Sequence, residues 1–253
     1  MAPELVLLHG FTHSGASWGR VVTALRQRYR PLAPDIRAPD IRAPDIRGHA
    51  SAAGRTPVSL DAVIEDVAAL TPARFDLAGY SMGGRIALHV ALALPERVGR
   101  LTLIGASPGL ADPAERAHRR AADERLAAEI EASSLEAFAA RWAHTPVLAG
   151  LPADVAAEVH ADRLRSTPAG LARALRGLGT GALPPLWDRL GELAAPVTVI
   201  VGERDEKFRA LGTEMAALIP DVRLEVVAGT GHAVHLEAPE RAAELIAASL
   251  ALY

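Results

Sequence analysis

Ser81 stands in the run AGYSMGGRIAL, between glycines at the spacing G-x-S-x-G. A serine hydroxyl is a weak base and a weak nucleophile until a histidine accepts its proton and a carboxylate orients that histidine. Two later segments offer those partners: GERDEKF carries Asp205, and AGTGHAVHLEAP carries His232. Glu203 and Glu206 compete with Asp205, but a short carboxylate at the centre of its segment suits the orienting role better. Of the nine histidines, His232 alone follows both an apolar run and a pair of glycines. His235 suits packing or support of the site, and His89, His118 and His160 fall inside helical patterns. The chemistry on offer is proton abstraction or nucleophilic attack by Ser81, with the backbone amides of Met82 and of Phe11, in LHGF, as donors to an oxyanion.

Arg85 adds a second feature. A cation in the first turn of a helix opposes the positive end of the helix dipole, at a cost of roughly 0.3–1 kcal/mol, so it calls for an anionic partner. A bound carboxylate and a structural ion pair both answer that call.

The elements that must position these residues alternate. Apolar β-rich runs at LVLL from Leu5, FDLA from Phe75, LTLI from Leu101, VTVIV from Val197 and LEVV from Leu224 are interleaved with helical patterns: WGRVVTALRQRY, the stretch after Met82, a stretch from about Phe208, and PERAAELIAASL. Strands without polar alternation, separated by helices, predict an α/β fold with a parallel sheet covered on both faces. Ser81 then falls on a tight strand-to-helix turn, and Asp205 and His232 fall in loops at the carboxyl ends of late strands. Between Ala111 and Leu190 the alternation stops and several helices follow one another. Residues 111–190 are therefore expected to form a helical cap inserted between two parts of the core, 1–110 and 191–253, with SPGLADP and GTGALPP at its edges.

The chain has 253 residues, half of them apolar, 23% charged, and a formal charge of −3. That balance suits one large folded domain and gives no electrostatic footprint for nucleic acid. Cysteine is absent, which removes disulfides, thiolate metal sites and cysteine nucleophiles. The start, MAPELVLLHGF, lacks a basic leader and its apolar run is too short for a signal peptide or membrane span, so a cytoplasmic protein is expected. No histidine spacing suggests a metal and GTG near Gly179 is too little for a nucleotide loop, so no cofactor is expected. One segment is unusual: PLAPDIRAPDIRAPDIRGHA repeats the unit RAPDI. Its period is too short for a solenoid, and its prolines exclude a regular helix or central strand, so it reads as a surface loop lengthened by tandem duplication.

Taken together, LHGF, GYSMGG, GERD and GH in this order, with a cap between, resemble the α/β-hydrolase superfamily. More narrowly, LHGFTHSGASW, GYSMGGRIAL, ASPGL followed by ERAHRRAADERL, RLRSTPAGLARALRGLGTG and VGERDEKFRAL are similar to the 2-succinyl-6-hydroxy-2,4-cyclohexadiene-1-carboxylate synthase family of menaquinone biosynthesis. That resemblance implies a lyase in which the histidine-activated serine acts as a base and starts a 2,5-elimination of pyruvate from a small polycarboxylate. It also implies that Arg85, Arg119, Arg163, Trp142 and Tyr80 contact substrate. Arg165, two residues on, competes with Arg163. The residues alone also allow a solvated face for Arg119, cap core for Trp142 and sheet packing for Tyr80. The chain departs from the family at the RAPDI repeats, where a compact PDLPGHG-like loop is usual, and at His13, where a small residue is common. An ordinary carboxylesterase and a non-catalytic binding protein of the same fold stand as alternatives.

Overall fold

A computed structural model describes residues 4–29, 40–71, 73–145 and 151–250 of the chain. Six parallel strands form one sheet: β1 (Glu4–Leu8), β2 (Asp40–Arg42), β3 (Phe75–Tyr80), β4 (Val98–Ile104), β5 (Val197–Gly202) and β6 (Val222–Val227), in the spatial order β2-β1-β3-β4-β5-β6. The central strands β3, β4 and β5 are buried along their whole length, whereas β6 at one edge is only partly covered. This is the burial that uninterrupted apolar runs require.

Helices cover both faces. On one, α1 (Gly19–Tyr29) packs on the terminal helix, Pro239–Leu250, through Trp18, Val21, Leu25, Ala242, Ala243 and Ile246. On the other lie α2 (Leu60–Leu70), α3 (Met82–Ala93) and the helix Glu206–Leu218, with Val63, Val67, Ile86, Leu88, Val90 and Met215 in a common apolar layer. Each such side chain contributes about 1.5–3 kcal/mol on full burial. The sequence reading passed over α2, although Val63 and Val67 stand one helical turn apart; Ser59 caps its start by accepting a hydrogen bond from the Ala62 amide. Between β4 and β5 come four helices, α4 (Pro113–Glu131), α5 (Leu135–Trp142), α6 (Ala153–Arg163) and α7 (Pro168–Leu178). Among the described residues, no strand lies in this stretch. The two linkers meet where the Leu186 amide donates to the Pro108 carbonyl at 2.8 Å and the Trp187 indole to that of Gly109 at 3.0 Å.

The repeat segment corrects the expectation of a plain surface loop. Its first copy lies outside the described residues. The second forms β2, pairing Asp40, Ile41 and Arg42 with Glu4, Leu5 and Val6. Prolines confine such a strand to a sheet edge, which is where it sits. The third copy packs inward: Ile46 is buried, its amide donates to His9 Nε2 at 2.9 Å, Asp45 accepts from the Gly15 amide at 2.8 Å, and Arg47 clasps Asp66.

Five histidines other than His232 are buried and kept neutral mainly by desolvation. The rings of His9, His13 and His49 surround the turn after β1, His235 packs against Trp18 and Tyr80, and His89 lies on α3. Burial lowers all five, with His49 and His235 brought to about 3 and His89 to about 4.

Two outcomes follow. Deleting residues 37–46 joins Ile36 to Arg47, so Pro34, Asp35 and Ile36 can replace Pro44, Asp45 and Ile46. The protein should still fold, with a small fall in melting temperature, because the deletion costs only the three-residue edge strand β2 and loop closure changes by about 0.6 kcal/mol per doubling of length. A large fall would show that the extra copies themselves hold the fold. The second outcome concerns pH. In the unfolded chain these histidines titrate near 6.5, so below that value it takes up protons that the native state refuses. Their contribution is full above 6.5 and is lost as pH falls toward the depressed native values, at ~1.4 kcal/mol per pH unit per group. Asp76 acts in the opposite sense: burial pushes its carboxyl up to about 6 against 3.8, but it is one group against five. The urea midpoint should fall steeply from about pH 6 to about pH 4.5, and a flat profile there would contradict the account.

Candidate active site

β3 delivers Ser81 to a turn that only a crowded, glycine-lined junction permits. Ser81 has φ 52° and ψ −110°, far from ordinary backbone for a residue with a side chain. Its amide donates to the Ile104 carbonyl at 2.9 Å, and its own carbonyl accepts from the Arg85 amide at 3.0 Å. α3 can start this close to the sheet because Gly83 has no Cβ; one built there would overlap the carbonyl oxygens of Leu8 and His9. The side chain is thereby turned out at the carboxyl end of the sheet.

His232 and Asp205 meet it there, although both lie more than a hundred residues away in sequence. Ser81 Oγ is 3.1 Å from His232 Nε2, and His232 Nδ1 is 2.6 Å from Asp205 Oδ2. With Nδ1–H donating to the carboxylate, Nε2 is free to accept the serine proton. Asp205 is itself held, because its other oxygen accepts from the Phe208 amide at 3.3 Å and so caps the helix that follows. The imidazole lies between the rings of Phe208 and Tyr80, at 4.4 and 5.4 Å between centroids. Of the competing acids, Glu203 accepts from the Gly229 amide at 2.8 Å, and Glu206 opens the next helix. His235 lies fully buried against Tyr80 at 4.2 Å and Trp18 at 4.7 Å.

The amide of Met82 opens α3 directly after Ser81. Phe11 lies in the turn after β1, which borders the serine: a Cβ on Gly10 would sit 3.6 Å from that of Ser81. Thr12 in this turn also has a positive φ, 70°. His9 secures the turn's start, with Nδ1 on the Gly10 carbonyl and Nε2 accepting from Ile46.

The cations differ sharply from one another. Arg85 is 7% exposed, its Nε has no hydrogen-bond partner, and among the described residues no carboxylate reaches ion-pair distance. Burial first, and Arg119 second, pull its guanidinium down to about 10, with Asp123 opposing. Arg163 is 1% exposed; Nε donates to Thr12 Oγ1 at 3.3 Å, while Nη2 has no partner. Arg165 instead points outward, half exposed, with Nη1 shared between Ser14 and Asp162. Arg119 pairs through Nε with Asp123 at 2.7 Å and is also half exposed. Trp142, at the end of α5, meets Phe11 edge-on at 5.4 Å. Tyr80 is buried among the rings of His13, His232 and His235, and burial raises its hydroxyl well above the usual phenol range.

The geometry is that of a proton relay ending on a serine, with two buried cations, Arg85 on α3 one turn after that serine and Arg163 against Thr12, that form no ion pair among the described residues. Sequence reasoning did not single out the buried pair His9 and His49 or the contact between Ser14 and Asp162. Among the described residues, no helix is long and apolar enough to cross a membrane.

The chain is similar to known proteins along most of its length. The profile of the alpha/beta hydrolase family matches residues 5–245. A Bacillus subtilis (strain 168) protein, provisionally assigned as a 2-succinyl-6-hydroxy-2,4-cyclohexadiene-1-carboxylate synthase, is 37% identical over 93% of this chain and 85% of its own length. The synthase of that name from Salmonella paratyphi C (strain RKS4594) is 31% identical over 99% of this chain and 95% of its own. The structure of MenH from S. aureus superposes with a TM-score of 0.89 at 28% identity, covering 98% of this chain and 93% of that one. The chain therefore belongs to the alpha/beta hydrolase family, in the group formed by the 2-succinyl-6-hydroxy-2,4-cyclohexadiene-1-carboxylate synthases.

Proposed function

We propose that the protein is a carbon–oxygen lyase of menaquinone biosynthesis, which eliminates pyruvate from 2-succinyl-5-enolpyruvyl-6-hydroxy-3-cyclohexene-1-carboxylate to give 2-succinyl-6-hydroxy-2,4-cyclohexadiene-1-carboxylate. The observation that carries this reading is the pair of buried arginines, Arg85 and Arg163, with unpartnered nitrogens beside a serine–histidine–aspartate relay. Leaving a buried guanidinium nitrogen without a partner costs on the order of 1–3 kcal/mol or more, and a bound carboxylate removes that cost. A neutral ester would leave it standing.

His232 accepts the proton of Ser81, and the serine oxygen removes the proton from the ring carbon that bears the succinyl group. The negative charge develops on the succinyl carbonyl oxygen, where the Phe11 and Met82 amides serve as donors. Electrons move through the ring alkene, the bond from ring carbon 5 to the enolpyruvyl oxygen breaks, and the departing enolate takes up a proton as it becomes pyruvate. His232, now carrying the serine's proton beside Asp205, is the acid at hand. Arg85 and Arg163 hold substrate carboxylates, Arg119 joins from α4, and Trp142 and Tyr80 line the space between. Residues 111–190 act as a cap that carries Arg119, Trp142 and Arg163 over the two core parts.

Purified protein should release pyruvate from the enolpyruvyl substrate and hydrolyse p-nitrophenyl acetate only feebly. Ser81→Ala and His232→Ala should each lower the lyase rate by at least about a thousandfold, with the double variant little worse, because the two residues act as one unit. Vigorous ester hydrolysis without pyruvate release would make the protein an esterase instead. Arg85→Met should lower kcat/KM for pyruvate release by roughly 2–5 kcal/mol, since a buried carboxylate loses its partner. Its melting temperature should not fall, because the side chain being replaced is an unpaired buried charge. Full activity with a much lower melting temperature would identify Arg85 as a structural residue.

A further inference from the structure

The turn at residues 9–14 is gripped by the end of α6. Asp162 is buried, and each of its carboxylate oxygens accepts from Ser14: Oδ2 from the amide at 2.8 Å, Oδ1 from the hydroxyl in a short hydrogen bond, with Arg165 Nη1 at 3.5 Å from Oδ1 and His13 Nδ1 at 3.9 Å from Oδ2. The Ser14 hydroxyl in turn accepts from the Ala16 amide at 3.1 Å and from Arg165 Nη1 at 3.1 Å. The next residue of the helix, Arg163, donates to Thr12. Two consecutive cap residues thus hold alternate residues of the turn.

This arrangement is not what helix stability alone would choose. An acid in the last turn of a helix faces the negative end of its dipole, and Asp162 is the penultimate residue of α6. Its position makes sense through what it fastens. Thr12, held at φ 70°, keeps that conformation only if its surroundings over-determine it. From within, the turn is closed by two hydrogen bonds to one carbonyl, that of Gly10, from the His13 amide at 3.2 Å and from His9 Nδ1 at 2.9 Å. The remaining fasteners come from outside: Ile46 on His9, Asp45 on Gly15, Asp162 on Ser14 and Arg163 on Thr12.

We propose that Asp162 is a positioning residue, which fixes the 9–14 turn through Ser14 so that the Phe11 amide is held against the oxyanion formed beside Ser81. The cap thereby sets the geometry of the oxyanion donor as well as that of Arg163, and the two are tied through adjacent residues of one helix. This inference rests on the assignment of Phe11 as an oxyanion donor in the lyase reading.

The test uses two readouts. One is kcat and KM for pyruvate release. The other is the rate at which a neutral p-nitrophenyl phosphonate labels Ser81, which needs the same oxyanion donors but neither the arginines nor the lyase chemistry. Asp162→Ala should lower kcat and the labelling rate by about a hundredfold, the scale expected for an ångström-sized misplacement of a reacting group, and Ser14→Ala, which keeps the amide bond, by about tenfold, with KM changed by less than about threefold in each. Asp162→Asn keeps an acceptor for the Ser14 amide and should recover most of that loss. Arg165→Ala touches the same pair from the solvent side and should leave both rates within about threefold. Should Asp162→Ala fail to fold, Ser14→Ala decides alone. Wild-type rates in both readouts for Ser14→Ala, or a loss confined to KM, would overturn the proposal. If wild-type protein is labelled but releases no pyruvate, the lyase reading fails, while the labelling rates of the variants still decide the role of Asp162.

Discussion

The backbone of Ser81 is the constraint on which the rest of the site depends. At φ 52° the chain can turn sharply from β3 into α3 and leave the hydroxyl clear of the sheet, but a residue with a side chain holds that conformation only under compulsion. The compulsion comes from both flanks. Ile104 on β4 takes the Ser81 amide, and α3 is drawn against β1 so tightly that position 83 has no room for a Cβ. α3 is buried from Met82 through most of its length, so it cannot relax outward without opening the apolar layer beneath it. The strain is therefore secured by the core rather than by the site, which leaves the site free to be open and polar.

Around this fixed point the charges are distributed unevenly. Histidines that would compete for protons are buried and neutral, so among the rings at the carboxyl end of the sheet only His232 sits in hydrogen-bond contact with both a carboxylate and the serine. The cations, by contrast, remain charged even where burial weakens them, since a guanidinium brought to about 10 is still protonated at neutral pH. Arg85 and Arg163 consequently present positive charge through a buried nitrogen each, Nε of one and Nη2 of the other, that no anion among the described residues takes. That combination favours an anionic ligand and penalises a neutral one. It links the triad, common to many chemistries, to the narrower group of relatives that the chain matches.

The repeat shows how a duplicated segment can be absorbed without disturbing such a site. Only the last copy is followed by Gly48 and His49, and Gly48 has φ 89°, a conformation that suits glycine. That tail anchors the third copy, placing Asp45 on Gly15 and Ile46 under His9. The preceding copy then has to supply the edge strand, and its Asp-Ile-Arg triplet pairs with β1. Because β2 lies at the sheet edge, it pairs with β1 alone and interrupts none of the other strand pairs.

Much of this was legible in the chain itself, because it depends on neighbours. The five apolar runs that became β1, β3, β4, β5 and β6, the glycine-lined serine turn and the placement of Asp205 and His232 after late strands all follow from local pattern, since strand burial and turn strain are set within a few residues. The position of Arg85 one turn after Ser81 was likewise fixed by helical spacing. What the sequence could not decide were contacts between distant segments. Arg163 and Arg165 are equivalent on paper; the turn of α6 buries one beside Thr12 and leaves the other half exposed on Ser14 and Asp162. Within themselves the three identical repeat copies carry no mark of which becomes strand and which becomes anchor; the packing of the Gly48–His49 tail decides it. Asp162 reads as an unremarkable acid near a helix end until the fold brings Ser14, 148 residues away, against it. Hydrogen bonds and burial of this kind depend on where the whole chain comes to rest, and only the tertiary structure specifies that.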